Sequence, residues 1–293
     1  MALTEDGQFV VRDFTFDVYE RVLETLTEHG YETYSVASFL EAETHPDRYA
    51  IVRHDVDRRP SIARSMAHLE AEYGVEATYY LRTSTFSPEF AHTLVDLGHE
   101  VGYHYEDLAR AKGNRELAYE EFERNLDRFR EHVEVTTACS HGSPLSPHLN
   151  TDMWDDARPP ERYGLTGIAY GSIETDDADP QKPTYVSDTG RHWGVVDPTV
   201  GRIDTTEDLI ELLESGACPR LYVLAHPSRW ARSRSEFVER VSWDVAAEAG
   251  KRAVVPLHRV QGRVRSTASG AVRAVSQPVA MSRNVLGMTP RDR

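Results

Sequence analysis

Five times along this chain an apolar, strand-forming run ends abruptly in an acid or a histidine, and helical periodicity fills the stretches between. The ends are Asp55 with Asp57, His104, His141, Asp188 and His226. Short apolar runs bounded by turn residues read as buried strands, and the amphipathic stretches between them read as crossover helices. Strand, helix, strand in succession means parallel pairing with right-handed crossovers, so all strands finish at the same edge of the sheet. The chain is therefore α/β, either a (β/α) barrel or an open doubly wound sheet. In a barrel, the carboxylates and imidazoles that finish separate strands converge on one rim, where the active sites of such folds sit.

The first of these runs is the most informative. Ala50-Ile51-Val52 leads into Arg53-His54-Asp55-Val56-Asp57-Arg58, and Pro60 with Ser61 then opens a helical pattern that reaches residue 73 and stops at Gly74. Residues i and i+2 of an extended segment share a face, so Asp55 and Asp57 point the same way. Two like charges held together call for a cation or a shared proton. Further strands are expected at 77–82, 99–104, 136–141, 165–170, 183–187 and 220–225. Helices are expected at 14–30, 35–42, 87–97, 113–131, 205–215 and 232–249.

Strand alternation sorts the histidines. His99 and His104 fall on opposite faces of their strand, which makes His104, at its end, the metal-ligand candidate and His99 a structural residue. Imidazole with carboxylate is the usual donor set for Zn²⁺ and similar ions. His141, in Ser140-His141-Gly142-Ser143-Pro144, is read as a ligand or a substrate contact. Ser143 lacks the GxSxG surroundings of a hydrolase nucleophile. His226 follows the cleanest strand, Leu221–Ala225, and an imidazole there suits a general acid. In Asp188-Thr189-Gly190-Arg191-His192-Trp193, Asp188 can orient a partner or Arg191 can fix one. No GxGxxG or GxxxxGK[ST] loop follows any strand, so a phosphate cradle is unsupported.

Charge narrows the choice further. The chain of 293 residues carries 48 acids against 33 Lys/Arg, a net −15, with lysine only at Lys112, Lys182 and Lys251. Such an acidic, lysine-poor composition predicts a salt-adapted protein and disfavours nucleic-acid binding, which needs a basic face. Residues 251–293 run the other way, with nine Lys/Arg and the single acid Asp292, or +8, which leaves −23 on residues 1–250. The chain is accordingly divided into a folded domain, 1–250, and a basic C-terminal extension, 251–293, partly disordered and able to touch an anionic surface. No apolar run approaches the ~18 residues of a membrane span. The acidic start shows no secretory signal, and Cys139 and Cys218 form no CxxC pair, so a cytoplasmic location is expected.

Taken together, Arg53–Asp57, Gly98–Leu108, His141–Ser146, Asp188–Trp193 and His226–Trp230 resemble, in order, the motifs of the polysaccharide deacetylase superfamily, the metal-dependent carbohydrate esterases. The likeness is nearest to a branch carrying RHDVD, GHEVGYHYEDL, HGSPLS and HPSRW, and it spans residues ~15–250. It implies a distorted, incomplete (β/α) barrel of about seven parallel strands with the metal at the strand ends. It implies removal of an N-acetyl or related acyl group from an amino sugar, with Asp55 as base, Asp57 and His104 as metal ligands, and His226 as acid. One position departs from the pattern: a second histidine is expected four residues after His104, and Leu108 stands there. Asp107, His141 or the absence of a metal would each answer the gap, and His141 is preferred because imidazole reproduces the missing donor. Asp188 or Arg191 would tune the acid and base.

Two further readings remain open at this level. The same residues also suit an amidohydrolase of the same superfamily acting on a small cyclic amide, or an inactive sugar-binding scaffold whose site decayed at Leu108. Neither the sugar nor the oligomeric state is written in the sequence.

Overall fold

The computed structural model describes residues 14–155, 157–176, 179, 181–189, 193, 195–197, 201–233 and 235–237. All of them belong to the first of two units, Met1–Ser242, the second being Trp243–Arg293. Arg191, most of the helix expected at 232–249 and the basic extension 251–293 lie outside the described residues.

Ten strands are formed among the described residues: β1 Glu32–Tyr34, β2 Tyr49–Val56, β3 Thr78–Leu81, β4 Glu100–Tyr105, β5 Thr137–Ser140, β6 Gly167–Ile168, β7 Thr184–Ser187, β8 Val195–Asp197, β9 Gly201–Ile203 and β10 Arg220–Ala225. The helices are α1 Phe16–Glu28, α2 Val36–Glu41, α3 Pro60–Glu72, α4 Pro88–Asp96, α5 Asp107–Arg110, α6 Arg115–Arg130 and α7 Thr206–Ser215. Seven strands pair in parallel in the order β6-β5-β4-β3-β2-β10-β7, with β1 added beside the first half of β2. The sheet curls into a half-barrel, so of the two architectures open to the sequence the incomplete barrel is the one formed. The sequence periodicity did not show β1, β8 and β9, because three residues are too few to carry an alternation.

Strand β2 explains the organisation. All eight of its residues are buried, as befits a strand covered on both faces. Ala50, Val52 and Val56 face the helices and join the larger core, with Ile62, Ala63, Met66 and Ala67 of α3. Tyr49 and Ile51 face inward and join Tyr34, Tyr80, Cys139 and Tyr222 in a smaller cluster inside the curl. Burying an aliphatic side chain of this size contributes about 1.5–3 kcal/mol, so the two clusters hold the strand in one register. Helix α3 starts where Pro60 presets its first turn, after Arg59 turns the chain through a left-handed φ of 58°.

The alternation sends His54 to the helix side and Arg53 and Asp55 to the inner side. His54 Nε2 donates to Glu70 Oε1 of α3 at 2.6 Å, and the hydroxyls of Tyr19 and Tyr79 complete the carboxylate's shell, Tyr79 at 2.6 Å. Burial opposes the charge on Glu70, but His54 beside it brings the carboxyl below its usual range. His99 also lies on this outer side, its Nε2 2.9 Å from the Ala67 carbonyl of α3. On the inner side Gly102 is the one residue that admits the Tyr80 ring, since a Cβ there would lie 2.3 Å from it.

Candidate active site

Register sets the depth of each side chain at the rim. Asp55 is level with Tyr80, Tyr80 with Gly102, and His104 with Cys139. Ala225 of β10 is level with His54, so His226, one residue on, comes beside Asp55. Asp57 lies just past β2, its backbone N–H donating to Asp55 O at 3.0 Å.

This turn brings Asp57 Oδ1 to 3.3 Å from both His104 Nε2 and His141 Nε2. The three donor atoms lie within 4.8 Å of one another. His104 Nδ1 faces the Cys139 carbonyl at 3.1 Å, and a carbonyl only accepts, so Nδ1 carries a proton and Nε2 is the ring nitrogen turned inward. His141 Nδ1 lies 3.4 Å from Glu106 Oε2, which orients its Nε2 the same way. Glu106 is held in turn by Arg82 Nη2 at 2.6 Å. Hydrogen bonding to His141, against some burial, takes the Glu106 carboxyl down to about 2.

Asp57 Oδ1 is buried and makes no hydrogen bond. Two imidazole nitrogens and a carboxylate oxygen thus converge on one spot, where either a proton shared with His104 or a cation balances the carboxylate. The same pull acts on His104 itself. Burial disfavours its charged form, yet Asp55 and the groups around it raise its pKa well above the usual imidazole value. One carboxylate and two imidazoles at a strand-end rim fit a divalent ion such as Zn²⁺, with Asp57, His104 and His141 as its holders.

A second cluster, Asp55 with His104 and Cys139, has similar spacing but a different filling. Arg53 Nε and Nη2 donate to Asp55 Oδ1 and Oδ2 at 2.9 and 2.8 Å, and Nη2 also reaches Cys139 Sγ at 2.9 Å. Both side chains are buried, so this is a two-pronged ion pair away from water. Burial would raise the Asp55 carboxyl, but Arg53 holds it far below the usual carboxylate range. A guanidinium already supplies the positive charge there.

The remaining flank holds Asp188 and His226. Asp188 is fully buried and accepts four hydrogen bonds: from His226 Nδ1 at 2.6 Å, the His226 backbone N–H at 2.8 Å, Arg229 Nη1 at 2.7 Å and Trp230 Nε1 at 3.1 Å. Burial disfavours its charge, but His226 and Arg229 take its pKa below the ordinary value. The carboxylate fixes the imidazole with Nδ1–H towards it and leaves Nε2 for chemistry. Arg191 lies outside the described residues; among the described residues Arg229 brings a guanidinium to Asp188.

Asp107 is tied elsewhere, its oxygens accepting from Tyr103 Oη at 2.8 Å and Asn125 Nδ2 at 2.9 Å, while Leu108 packs in the outer core. Burial pushes the Asp107 carboxyl up to about 6 against these two donors. A carboxyl raised this way keeps its proton longer in the folded chain, so its contribution to stability is complete below the ordinary value and is lost as pH rises through about 6. The full loss is about 3 kcal/mol. Asp107→Asn, which cannot ionise, should therefore gain about that much on the wild type between pH 4 and pH 7 in urea midpoints. A gap that does not change with pH would contradict the assignment.

Sequence reasoning passed over Arg53, Glu106, Arg229 and Trp230 as site residues. Arg53 was legible by the same i, i+2 rule that paired the aspartates. The other three depend on contacts across strands that spacing alone does not reveal.

No protein-family model matches the sequence, and no curated protein matches it. Among solved structures the chain is similar to a CE4 esterase from Streptococcus mutans, with 16% identity over 69% of this chain and 82% of that one and a TM-score of 0.42. It is similar to a family 4 carbohydrate esterase from Streptomyces lividans in complex with acetate, with 14% identity, 69% and 89% coverage and a TM-score of 0.40. It is also similar to a CE4 family pseudoenzyme from Bacillus anthracis, with 15% identity, 68% and 61% coverage and a TM-score of 0.40. By their names, two of these are carbohydrate esterases and the third is a pseudoenzyme of the CE4 family. The chemistry is carried by the side chains of this chain rather than by these likenesses.

Proposed function

We propose that this protein is a metal-dependent hydrolase that removes an N-acetyl or related acyl group from an amino sugar. The observation that carries the reading is Asp57 Oδ1, a buried oxygen with no hydrogen bond, flanked at 3.3 Å by two imidazole nitrogens. The order of the five sequence motifs supplies the substrate class.

Asp57, His104 and His141 would hold the ion. When bound, such an ion polarises an amide carbonyl and makes water a better nucleophile near neutral pH. Asp55, its charged form favoured and its position fixed by Arg53, takes the proton of the attacking water on the side facing the ligands. His226 Nε2, aimed by Asp188, gives a proton to the departing amine nitrogen as the carbon–nitrogen bond breaks. Arg229 and Trp230 hold the Asp188 carboxylate so that the imidazole keeps its tautomer.

The test is acetate release from N-acetylglucosamine and its oligomers by protein purified in high salt. Release that a chelator abolishes and Zn²⁺ restores is the expected result. A small cyclic amide turned over in place of the sugars would move the substrate class, and no turnover of either would favour a binding protein.

A further inference from the structure

The curled sheet is open between β6 at one edge and β7 at the other. Side chains cross part of this opening. Tyr222 of β10 donates through its hydroxyl to the Ala169 carbonyl at 3.1 Å and accepts from Arg53 Nη1 at 3.3 Å, which links the centre of the sheet to the segment after β6. That segment is held on both sides of Tyr170. Ala169 N–H donates to Ala138 O, and the N–H groups of Gly171 and Ser172 both donate to Ile168 O, each at 2.9 Å. The Tyr170 ring lies over the Arg53 guanidinium, 4.3 Å from its Cζ, yet the residue is 49% exposed.

We propose that Tyr170 is a stacking platform for a sugar ring bound beside the reacting amide, a proposal that rests on the amino-sugar reading above. One face of the aromatic ring is backed by Arg53, whose charge Asp55 already neutralises. With the residue 49% exposed, part of the ring is open to solvent, and an open ring face carries the negative side of the quadrupole, which matches the partially positive C–H groups on one face of a pyranose. The backing and the pinned backbone mean that little freedom is lost when a ligand stacks, so the surface is ready before the ligand arrives. Its position fits the role, because β6 ends at Ile168 level with Ala138, one residue before Cys139, the partner of His104, so Tyr170 follows β6 at the strand-end rim where His104 and Asp55 sit. A sugar resting on the ring is held at that rim.

The experiment measures acetate release from the trisaccharide of N-acetylglucosamine by the full chain and by its Tyr170→Ala and Tyr170→Phe forms. Tyr170→Ala should raise KM about tenfold with kcat little changed, and Tyr170→Phe, which keeps the ring, should restore KM to within about twofold. A kcat that falls at unchanged KM, with the acid limb of the pH profile displaced, would mean that the ring acts only by covering Arg53, and would overturn the proposal. So would a phenylalanine form as weak as the alanine form. If the wild type releases no acetate, equilibrium binding of the same trisaccharide decides. Affinity weakened about tenfold by Tyr170→Ala alone would keep the platform and remove the hydrolase, whereas no binding to the wild type would remove both.

Discussion

Asp55→Asn is expected to lower turnover by about 10²–10⁴-fold while the divalent ion remains bound. The carboxamide has nearly the same shape but cannot take the proton of the attacking water. It is not one of the three residues proposed to hold the ion, so metal content should match the wild type. Arg53 keeps one acceptor from the amide oxygen but loses its counter-charge, so some stability is lost as well. Near-ultraviolet circular dichroism and metal content, read on the same sample, separate a folded inactive protein from an unfolded one. Turnover within about tenfold of the wild type would remove Asp55 from the role of base.

Arg53→Met is expected to destabilise the fold by about 3–5 kcal/mol, measured by urea unfolding at constant salt. Arg53 and Asp55 are buried side by side with two hydrogen bonds between them. Methionine fills much of the space but strips the buried carboxylate of its two hydrogen bonds and its nearest charge, leaving His104 Nε2 at 3.7 Å and Cys139 Sγ at 3.9 Å beside it, and that loss is the source of the cost. Desolvation then acts on Asp55 unopposed by the guanidinium, and its carboxyl should titrate at higher pH. The double change Arg53→Met with Asp55→Leu removes both charges and should recover most of the loss, since apolar replacements of a buried pair are often close to neutral. A single Arg53 change costing less than about 1 kcal/mol would show that the pair is screened more than its burial indicates.

The two aspartates show how far the sequence could be read. Strand β2, helix α3 and the placement of Asp55 and Asp57 at the end of a buried strand follow from an apolar run, a proline and a period of two. The same period puts Arg53 on the Asp55 face and His54 on the other, but which groups wait on each face is decided by other parts of the chain. His54 meets Glu70 sixteen positions away, and nothing in the spacing says which turn of α3 overlies it. The gap at Leu108 illustrates the same limit. Asp107 and His141 were both chemically suited to fill it. The packing of Tyr103 and Asn125 withdraws Asp107, and the end of β5 brings His141 to Asp57. Arg229 and Trp230 reach Asp188 only because β10 and β7 are neighbours in the sheet.

The central claim is the ion at Asp57, His104 and His141, and elemental analysis of the protein purified in high salt tests it most directly. About one zinc or other divalent ion per chain in the wild type, lost in Asp57→Ala, His104→Ala and His141→Ala alike, is the expected result. A wild type that binds no ion even after reconstitution would contradict the site altogether. Full metal content in His141→Ala would contradict the proposal that this histidine stands in for the ligand missing at Leu108.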